Sequence, residues 1–179
     1  MTEEMVLETA RLRLRKLTPD DLKGLKKMLQ DPEVMTAYEG PFDDGEVQDW
    51  LDRQLARYQA DGIGLYAVIL KETGEFIGQC GLTIQEIPGR RVMEVGYLFC
   101  KEFWRKGYAA EAAIACRDYA FETLHALEVF SIIRDSNLPS QRVALKNGMA
   151  QVGAFDKHYR GVVMPHYIFS VKADKESLS

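Results

Sequence analysis

The sequence predicts an α+β fold, an α/β three-layer arrangement in which a mixed, mostly antiparallel central sheet of about seven strands is flanked by helices. Three observations support this prediction. Short runs with the apolar pattern of strands occur together with stretches whose apolar residues recur at helical spacing. Tight turns join consecutive strand-like runs in the middle of the chain, which is typical of antiparallel pairs. In one part of the chain a helix lies between two strand-like runs. Such a connection crosses over the sheet, so the two strands should be parallel.

The length and charge of the chain limit its organisation and its partners. A chain of 179 residues can bury one core but is short for two, so we predict a single domain over residues 1–172 and a flexible tail over residues 173–179. The formal charge of −4 argues against nucleic acid as the main partner. No apolar run approaches the roughly 18 residues that span a bilayer, and the N-terminus is acidic where a signal peptide is basic. We therefore expect a cytoplasmic monomer or homodimer that binds neither membrane nor nucleic acid.

The three cysteines, Cys80, Cys100 and Cys116, are widely spaced and have no neighbouring histidine. Such spacing indicates neither a disulfide framework nor a zinc site. We predict that they are buried as small hydrophobic residues and that the protein holds no metal.

The first third of the chain begins with residues 7–17, where leucine and arginine alternate. This period of two predicts one strand with its arginines on a solvated face. Capping residues and helical spacing then predict a helix from Thr18 to Asp31 and a second helix over residues 44–61. The loop between the two helices contains aromatic residues, which could form a wall of a substrate site or pack onto the core.

The remaining elements follow from the same patterns. Strands are expected at residues 65–70, 76–84, 95–100, 127–134, 150–159 and 163–171. A third helix follows the basic turn at Trp104 and begins near Ala109, and a last helix runs from Asn137 to Gly148.

The basic turn before the third helix is a candidate phosphate site. Backbone N–H groups at a helix N-terminus are unpaired and carry partial positive charge, so they attract anions. Gly107 and Ala109 are small enough to let a phosphate approach these groups, while Arg105 and Lys106 add positive charge.

Two motifs make this order of elements similar to a known family. The segment 104–109 resembles the pyrophosphate loop written Gln/Arg-x-x-Gly-x-Gly/Ala, and Asn137-x-x-Ser140, followed by Lys146–Met149, resembles a second cofactor-contacting segment. With both motifs in order, the chain resembles the GNAT superfamily of acyl-CoA-dependent N-acetyltransferases over nearly its whole length. The segment 94–97, Glu-Val-Gly-Tyr, further resembles the branch of ribosomal-protein-alanine N-acetyltransferases (RimJ/RimL-like).

The resemblance implies a GNAT fold with splayed central strands, acetyl-CoA as co-substrate and an amine acceptor, which is a protein N-terminus or a small molecule. It also implies that a backbone N–H near Leu98 or Phe99 binds the thioester oxygen. The implied cofactor-binding residues are Tyr97, Leu98, Phe99, Arg105, Lys106, Gly107, Tyr108, Ala109, Asn137 and Ser140.

The same resemblance suggests catalytic residues. Glu94 is the candidate general base, acting through water, with His158 and His166 as alternatives. Ala144 stands where many members have a tyrosine that protonates the leaving thiolate, so Ser140 is the candidate acid. The implied acceptor-binding residues are Tyr38, Phe42 and His166.

Two other functions stay open at this point. The absent tyrosine favours a catalytically silent acyl-CoA-binding module that acts as a sensor or binds a partner. Alternatively, the basic turn binds a nucleotide.

Overall fold

The fold was taken from a computed structural model that describes residues 3–174. Within this range one eight-stranded sheet has the order β1-β2-β3-β4-β5-β6-β8-β7. Its strands are β1 Met5–Glu8, β2 Leu12–Lys16, β3 Leu65–Leu70, β4 Phe76–Ile87, β5 Arg90–Phe99, β6 Glu128–Arg134, β7 Ala150–Tyr159 and β8 Val162–Lys172. The helices of the same range are α1 Leu22–Leu29, α2 Asp44–Asp61, α3 Tyr108–Glu122 and α4 Leu138–Lys146.

The prediction of one strand over residues 7–17 is wrong. Thr9 closes a turn in the middle of that segment: its N–H donates to the carbonyl of Leu12 over 2.9 Å, and its hydroxyl accepts from the N–H of Leu12 over 3.0 Å. The segment therefore divides into β1 and β2, and this division gives eight strands instead of about seven.

The predicted solvated face of arginines is also wrong at one position. Arg15 is only 9% exposed, and its two terminal nitrogens each lie 2.8 Å from a carboxylate oxygen of Asp21. A buried guanidinium needs such a partner, and the two-point contact ties β2 to the 3₁₀ turn that precedes α1.

The second helix has the predicted bounds, whereas the first is shorter than predicted: Thr18 caps the 3₁₀ turn Pro19–Asp21, and α1 itself spans Leu22–Leu29. The Asp43 side chain accepts from the N–H of Glu46 over 2.7 Å at the start of α2, and Gly62 ends the helix with a φ of 74°. Between α1 and α2, residues Val34–Tyr38 form a further 3₁₀ turn. This turn brings the aromatic loop against Trp50 of α2.

The middle of the sheet is antiparallel as predicted, but β5 begins at Arg90 and not at Val95. Its charged first residues pair with the far end of β4, with Arg90 opposite Ile87. Exposed pairs of this kind lack the apolar pattern that predicts a strand, and so the prediction was too short.

The parallel pairing of β5 with β6 is confirmed, and it is limited to one registered pair, Glu94 opposite Phe130. The Ser131 hydroxyl donates to the carbonyl of Val95 over 2.7 Å beside this pair. Beyond this point the two strands share no registered pair, so their C-terminal halves splay apart.

Alternation along β5 divides its side chains between two faces of the sheet. Leu98 is paired with Gln79, whose side chain binds Trp50 of α2. Tyr97 is paired with Cys80, whose sulfur lies 3.7 Å from that of Cys116 in α3. Glu94 and Leu98 therefore face α2, whereas Tyr97 faces α3.

The three cysteines are buried as predicted. In the described part of the chain, no helix has the length and apolar character to cross a membrane. Of the predicted tail, Ala173 still donates to the carbonyl of Leu127 over 2.9 Å, and residues 175–179 lie outside the described range.

Candidate active site

The turn that leads into α3 presents a row of open backbone N–H groups. Two of its residues have left-handed conformations, Arg105 with a φ of 62° and Gly107 with a φ of 82°. The first helical bond is donated by Glu111 to the carbonyl of Gly107 over 3.0 Å. Within residues 3–174, no group accepts from the N–H groups of residues 105–110. We call this row of amides the cradle, and its geometry fits an anionic phosphate group.

The turn between β1 and β2 supports the cradle through hydrogen bonds. The sequence did not predict this support. The Glu111 carboxylate accepts from the hydroxyl of Thr9 over 2.5 Å, and from the backbone N–H and Nε of Arg11 over 3.0 and 2.7 Å. Arg11 also donates to the carbonyl of Lys106 over 2.9 Å. Burial acts to raise the pKa of Glu111, but these bonds outweigh it and the pKa is lowered. The carboxylate therefore stays charged.

Tyr108 takes part in the same support. The guanidinium of Arg11 lies 4.4 Å from the centre of its ring, a distance at which cation–π attraction is favourable. Tyr108 and Ala109, predicted as cofactor-binding residues, are both half-buried in the first turn of α3.

Positive charge at the cradle comes from Arg105 and Lys106. Both side chains are exposed, and neither has a carboxylate within salt-bridge distance among residues 3–174. Lys101 differs, since its ammonium lies 3.6 and 3.5 Å from the carboxylates of Asp31 and Glu33. Lys101 is therefore neutralised locally.

Hydrogen bonds to β5 identify the backbone N–H groups that face the splayed gap. Cys100 donates to β4, whereas the carbonyls of Val95 and Phe99 accept from Ser131 and Trp104 on the other side. In an antiparallel ladder the N–H and the carbonyl of one residue point the same way, and the direction alternates along the strand. Of the two predicted oxygen-binding amides, that of Phe99 thus faces the gap, while that of Leu98 faces β4.

The indole N–H of Trp104 donates to the carbonyl of Phe99 over 2.9 Å. This bond ties the cradle to the end of β5. The tryptophan is nevertheless 41% exposed.

The start of α4 forms the other wall of the gap. Asn137 caps the helix, since its side-chain oxygen accepts from the N–H of Ser140 over 3.3 Å. The Tyr97 hydroxyl donates to the carbonyl of Ser140 over 2.6 Å and thereby joins β5 to α4. Ala144 lies one turn further along α4 and is 1% exposed. Asn137, Ser140 and Tyr97, predicted as cofactor-binding residues, are thus brought together.

Glu94 lies at the vertex of the splay. It is half-buried by area, although protein atoms surround its carboxyl. This burial raises its pKa to about 7, opposed by a hydrogen bond from the N–H of Ile132 and by the positive charges of Lys157 and Arg57. The bond from Ile132 is 2.7 Å long. A carboxyl with this pKa can exchange protons near neutral pH.

A cavity of about 300 Å³ lies on the α2 side of the sheet. Tyr38 lines it, and burial and then the charge of Glu94 raise the pKa of Tyr38 to about 12. Edge-to-face contacts join Tyr38 to Phe42 and Trp50, with ring centres 6.2 and 5.9 Å apart. The cavity is lined by Tyr38, Phe42, Glu46, Asp49, Trp50, Arg53, Tyr159 and Arg160.

The two histidines predicted as alternative bases have different positions. His166 is 7% exposed, its Nδ1 lies 2.8 Å from the carbonyl of Met164, and burial lowers its pKa. His158 is exposed on β7. Alternation puts it on the face opposite Lys157, whose charge acts on Glu94. The structure therefore does not bring His158 to the cavity.

Comparisons with known proteins agree with this geometry. A model of the acetyltransferase (GNAT) domain matches residues 11–150. The uncharacterized protein YkkB of Bacillus subtilis is 39% identical over 150 residues, which cover 83% of this chain and 87% of that protein. The uncharacterized N-acetyltransferase p20 of Bacillus licheniformis is 29% identical over 170 residues, covering 92% and 94% of the two chains.

Among solved structures, RimL, a ribosomal L7/L12 alpha-N-protein acetyltransferase in complex with coenzyme A, is similar with a TM-score of 0.79. The match covers 96% of this chain and 99% of that one at 14% identity, a likeness of fold alone. The chain belongs to the GNAT acetyltransferase family, whose members are acyl-CoA-dependent N-acetyltransferases.

Proposed function

We propose that this protein transfers an acetyl group from acetyl-CoA to a primary amine by direct attack of the amine on the thioester. The observation that carries the proposal is the position of Glu94. Its carboxyl, with a pKa of about 7, lies at the vertex of the splay, and its charge acts on Tyr38, which lines the cavity. The acceptor is a protein N-terminus, as the name of RimL states for that enzyme, or a small-molecule amine.

The cofactor is held by residues on the α3 side. The amides of the cradle bind the pyrophosphate, and the side chains of Arg105 and Lys106 offset its charge. Asn137 offers its side-chain N–H₂ to the pantetheine amides, because only its oxygen is used in capping α4. Bound acetyl-CoA supplies the acetyl group as a thioester.

Glu94 makes the amine reactive. An α-amino group has a pKa near 8 and a lysine near 10.4, so either is mostly protonated at neutral pH. Glu94 takes the proton, directly or through water, as the amine forms its N–C bond and the C–S bond breaks. Because a thiol pKa lies near 8.5, the thiolate can leave before it is protonated. It then takes up a proton from water, with Ser140 as the candidate donor that is itself reprotonated by water, while Glu94 returns the amine's proton to solvent. The N–H of Phe99 stabilises the negative charge that develops on the carbonyl oxygen.

A second candidate is an acyl-CoA-binding module without turnover. Ala144 favours it, since no tyrosine stands at that position, and the nearby hydroxyl of Tyr97 is already engaged by Ser140.

Thiol release from acetyl-CoA, measured with a panel of amines and N-terminal peptides, separates the two candidates. We expect release with at least one acceptor. Coenzyme A binding without release on any acceptor would support the silent module. Calorimetry with coenzyme A and ATP tests the cradle itself, and tighter binding of ATP would contradict a coenzyme A site.

A further inference from the structure

A glycine, Gly96, lies in the interior of β5. Glycine weakens a strand, so inside a sheet it usually marks a place where another group comes close. The two glycines of β4 have such a reason. A Cβ atom at Gly81 would lie 2.1 Å from the carbonyl oxygen of Gly64. One at Gly78 would lie 2.6 Å from the carbonyl oxygen of Leu98. Backbone packing therefore excludes a side chain at both positions of β4.

The protein leaves the corresponding space at Gly96 open. Apart from its chain neighbours, a Cβ atom there would have two heavy atoms of residues 3–174 within 4 Å, Cδ2 of Leu65 at 3.4 Å and Oε1 of Glu94 at 3.8 Å. Gly96 is half-exposed although β5 is flanked by β4 and β6. A side chain would thus fit, and its absence leaves a space that we call the slot, bordered by Leu65 and Glu94.

The two carboxylate oxygens of Glu94 differ in their contacts. Oε2 accepts from the N–H of Ile132 over 2.7 Å. Oε1, the oxygen that borders the slot, accepts no hydrogen bond from any group within residues 3–174. A carboxylate oxygen has lone pairs for such bonds, so Oε1 is available to a donor that enters the slot.

The slot lies between the base and the thioester. Alternation along β5 puts Glu94, Gly96 and Leu98 on the face toward α2, and all three are half-exposed. Phe99, whose N–H faces the gap, follows Gly96 by three residues, or about 10 Å of strand. An amine that gives its proton to Glu94 and attacks a carbonyl held at Phe99 therefore has to pass over Gly96.

We infer that the acceptor amine binds in the slot over Gly96, with its N–H directed at Oε1 of Glu94, and that Gly96 determines which amines are accepted. This inference rests on the proposed acetyl transfer and names a specificity-determining residue of that site. A nitrogen that donates to Oε1 lies about 3 Å from it, in the space that a methyl group at Gly96 would take. The slot favours an amine on an unbranched carbon, because a branch beside the nitrogen needs room between Leu65 and Glu94.

Gly96→Ala tests the slot, because its methyl group would meet only the ends of two side chains. We expect kcat/KM for thiol release to fall about 10- to 100-fold, the range for overpacking a close contact. Coenzyme A affinity in calorimetry should be unchanged. Urea unfolding should show equal or higher stability, since alanine replaces glycine inside a strand.

A pair of acceptors separates a blocked slot from an altered base. The pair is an unbranched amine and its α-methyl counterpart, such as peptides that begin with glycine and with alanine. A change in Glu94 acts on both members and cancels in the ratio of their kcat/KM values. A narrower slot should instead raise the preference for the unbranched member about 10-fold. Raising the pH should not restore the activity of Gly96→Ala, because Glu94 is then ionised in both proteins.

Gly153→Ala is the matched control. A Cβ atom at Gly153 would also lie 3.4 Å from a side-chain atom, Cδ1 of Ile168. Gly153 belongs to β7, which β6 and β8 separate from β5. This variant should keep both kcat/KM and the ratio of the unchanged protein.

Four outcomes would overturn the inference alone. These are full activity of Gly96→Ala, a ratio that Gly96→Ala does not alter, an equal loss in Gly153→Ala, or weaker coenzyme A binding in Gly96→Ala. If no acceptor supports thiol release with the unchanged protein, the proposed transfer itself fails. Calorimetry of the same amines on the coenzyme A complex then decides the slot. Binding that Gly96→Ala abolishes and Gly153→Ala retains supports it, and any other result refutes it.

Discussion

The cradle and the cavity beside α2 lie on opposite sides of β5, and they are built in different ways. The cradle consists of backbone amides from six consecutive residues, 105–110, and its support from Thr9 and Arg11 is a set of direct hydrogen bonds. The cavity is made of side chains from the aromatic loop, α2 and the β7–β8 turn. The comparison teaches that a site made of backbone needs one local motif, whereas a site made of side chains needs the whole fold.

A substitution at Gly107 is expected to have the largest effect, because it disrupts the cradle and leaves the cavity unchanged. In Gly107→Glu a carboxylate would lie where the phosphates bind, and like charges about 4 Å apart repel by about 4 kcal/mol near a protein surface. The dissociation constant for coenzyme A should rise about 1,000-fold in calorimetry. Gly62→Glu is the control, because Gly62 has a similar φ of 74° at the end of α2 with no atom near its Cβ position. Unchanged affinity in Gly107→Glu would refute the cradle.

At Glu94 we expect the opposite pattern, in which turnover is lost and coenzyme A binding is kept. Glu94→Gln removes the base and keeps the hydrogen-bond acceptor for Ile132, so kcat for thiol release should fall about 100- to 1,000-fold while coenzyme A binding is retained. Activity of the unchanged protein should rise with pH around pH 7, following ionisation of Glu94. Glu128→Gln, a carboxylate change on β6 outside the cavity, serves as the control. Full activity of Glu94→Gln over this pH range would eliminate Glu94 as the base.

The same carboxyl should make stability depend on pH. The folded pKa of about 7 lies above the ordinary value of 4.5, so between these values the folded state holds a proton that the unfolded state has lost. The free energy of unfolding should therefore decrease as pH rises through this window, by up to about 3 kcal/mol from this group. Urea unfolding at pH 5 and pH 8 measures the change. Glu94→Gln should show correspondingly less loss, and identical losses in the two proteins would contradict a raised pKa.

A smaller effect is expected at Glu111, which tests whether the cradle depends on its support. Glu111→Gln keeps the size of the side chain but weakens its bonds to Thr9 and Arg11, and we expect coenzyme A affinity to fall about 10-fold. Hydrogen exchange of the amides of residues 105–110 should become faster. Glu122→Gln at the exposed end of α3 is the matched control. Faster exchange with unchanged affinity would show a support without a role in binding.

The difference between the two regions also explains what could be predicted from the sequence. The cradle was predicted because small residues, basic residues and a helix start lie together within residues 104–109. Arg11 and Glu111, which support it, are 100 residues apart, and no local pattern connects them. Arg15 was assigned to solvent because alternation identifies a face of a strand but not what covers it.

The α2 side of the sheet shows the same limit of prediction from sequence. Glu94 was predicted from its motif, but its raised pKa depends on burial by residues distant in sequence. Arg57 has no motif at all, since an arginine near the end of an amphipathic helix is typical of a solvated face. Only the fold shows that its charge acts on Glu94.

The contact of Thr9 and Arg11 with Glu111 sets a practical boundary for engineering the protein. The region shared with the family model begins at residue 11, so a fragment trimmed to that region would keep the phosphate motif but lose Thr9 and all of β1. Fusion partners placed directly before Met5 would adjoin β1, whose turn to β2 carries Thr9. A long flexible spacer at the N-terminus is therefore the safer design for immobilising or tagging this enzyme.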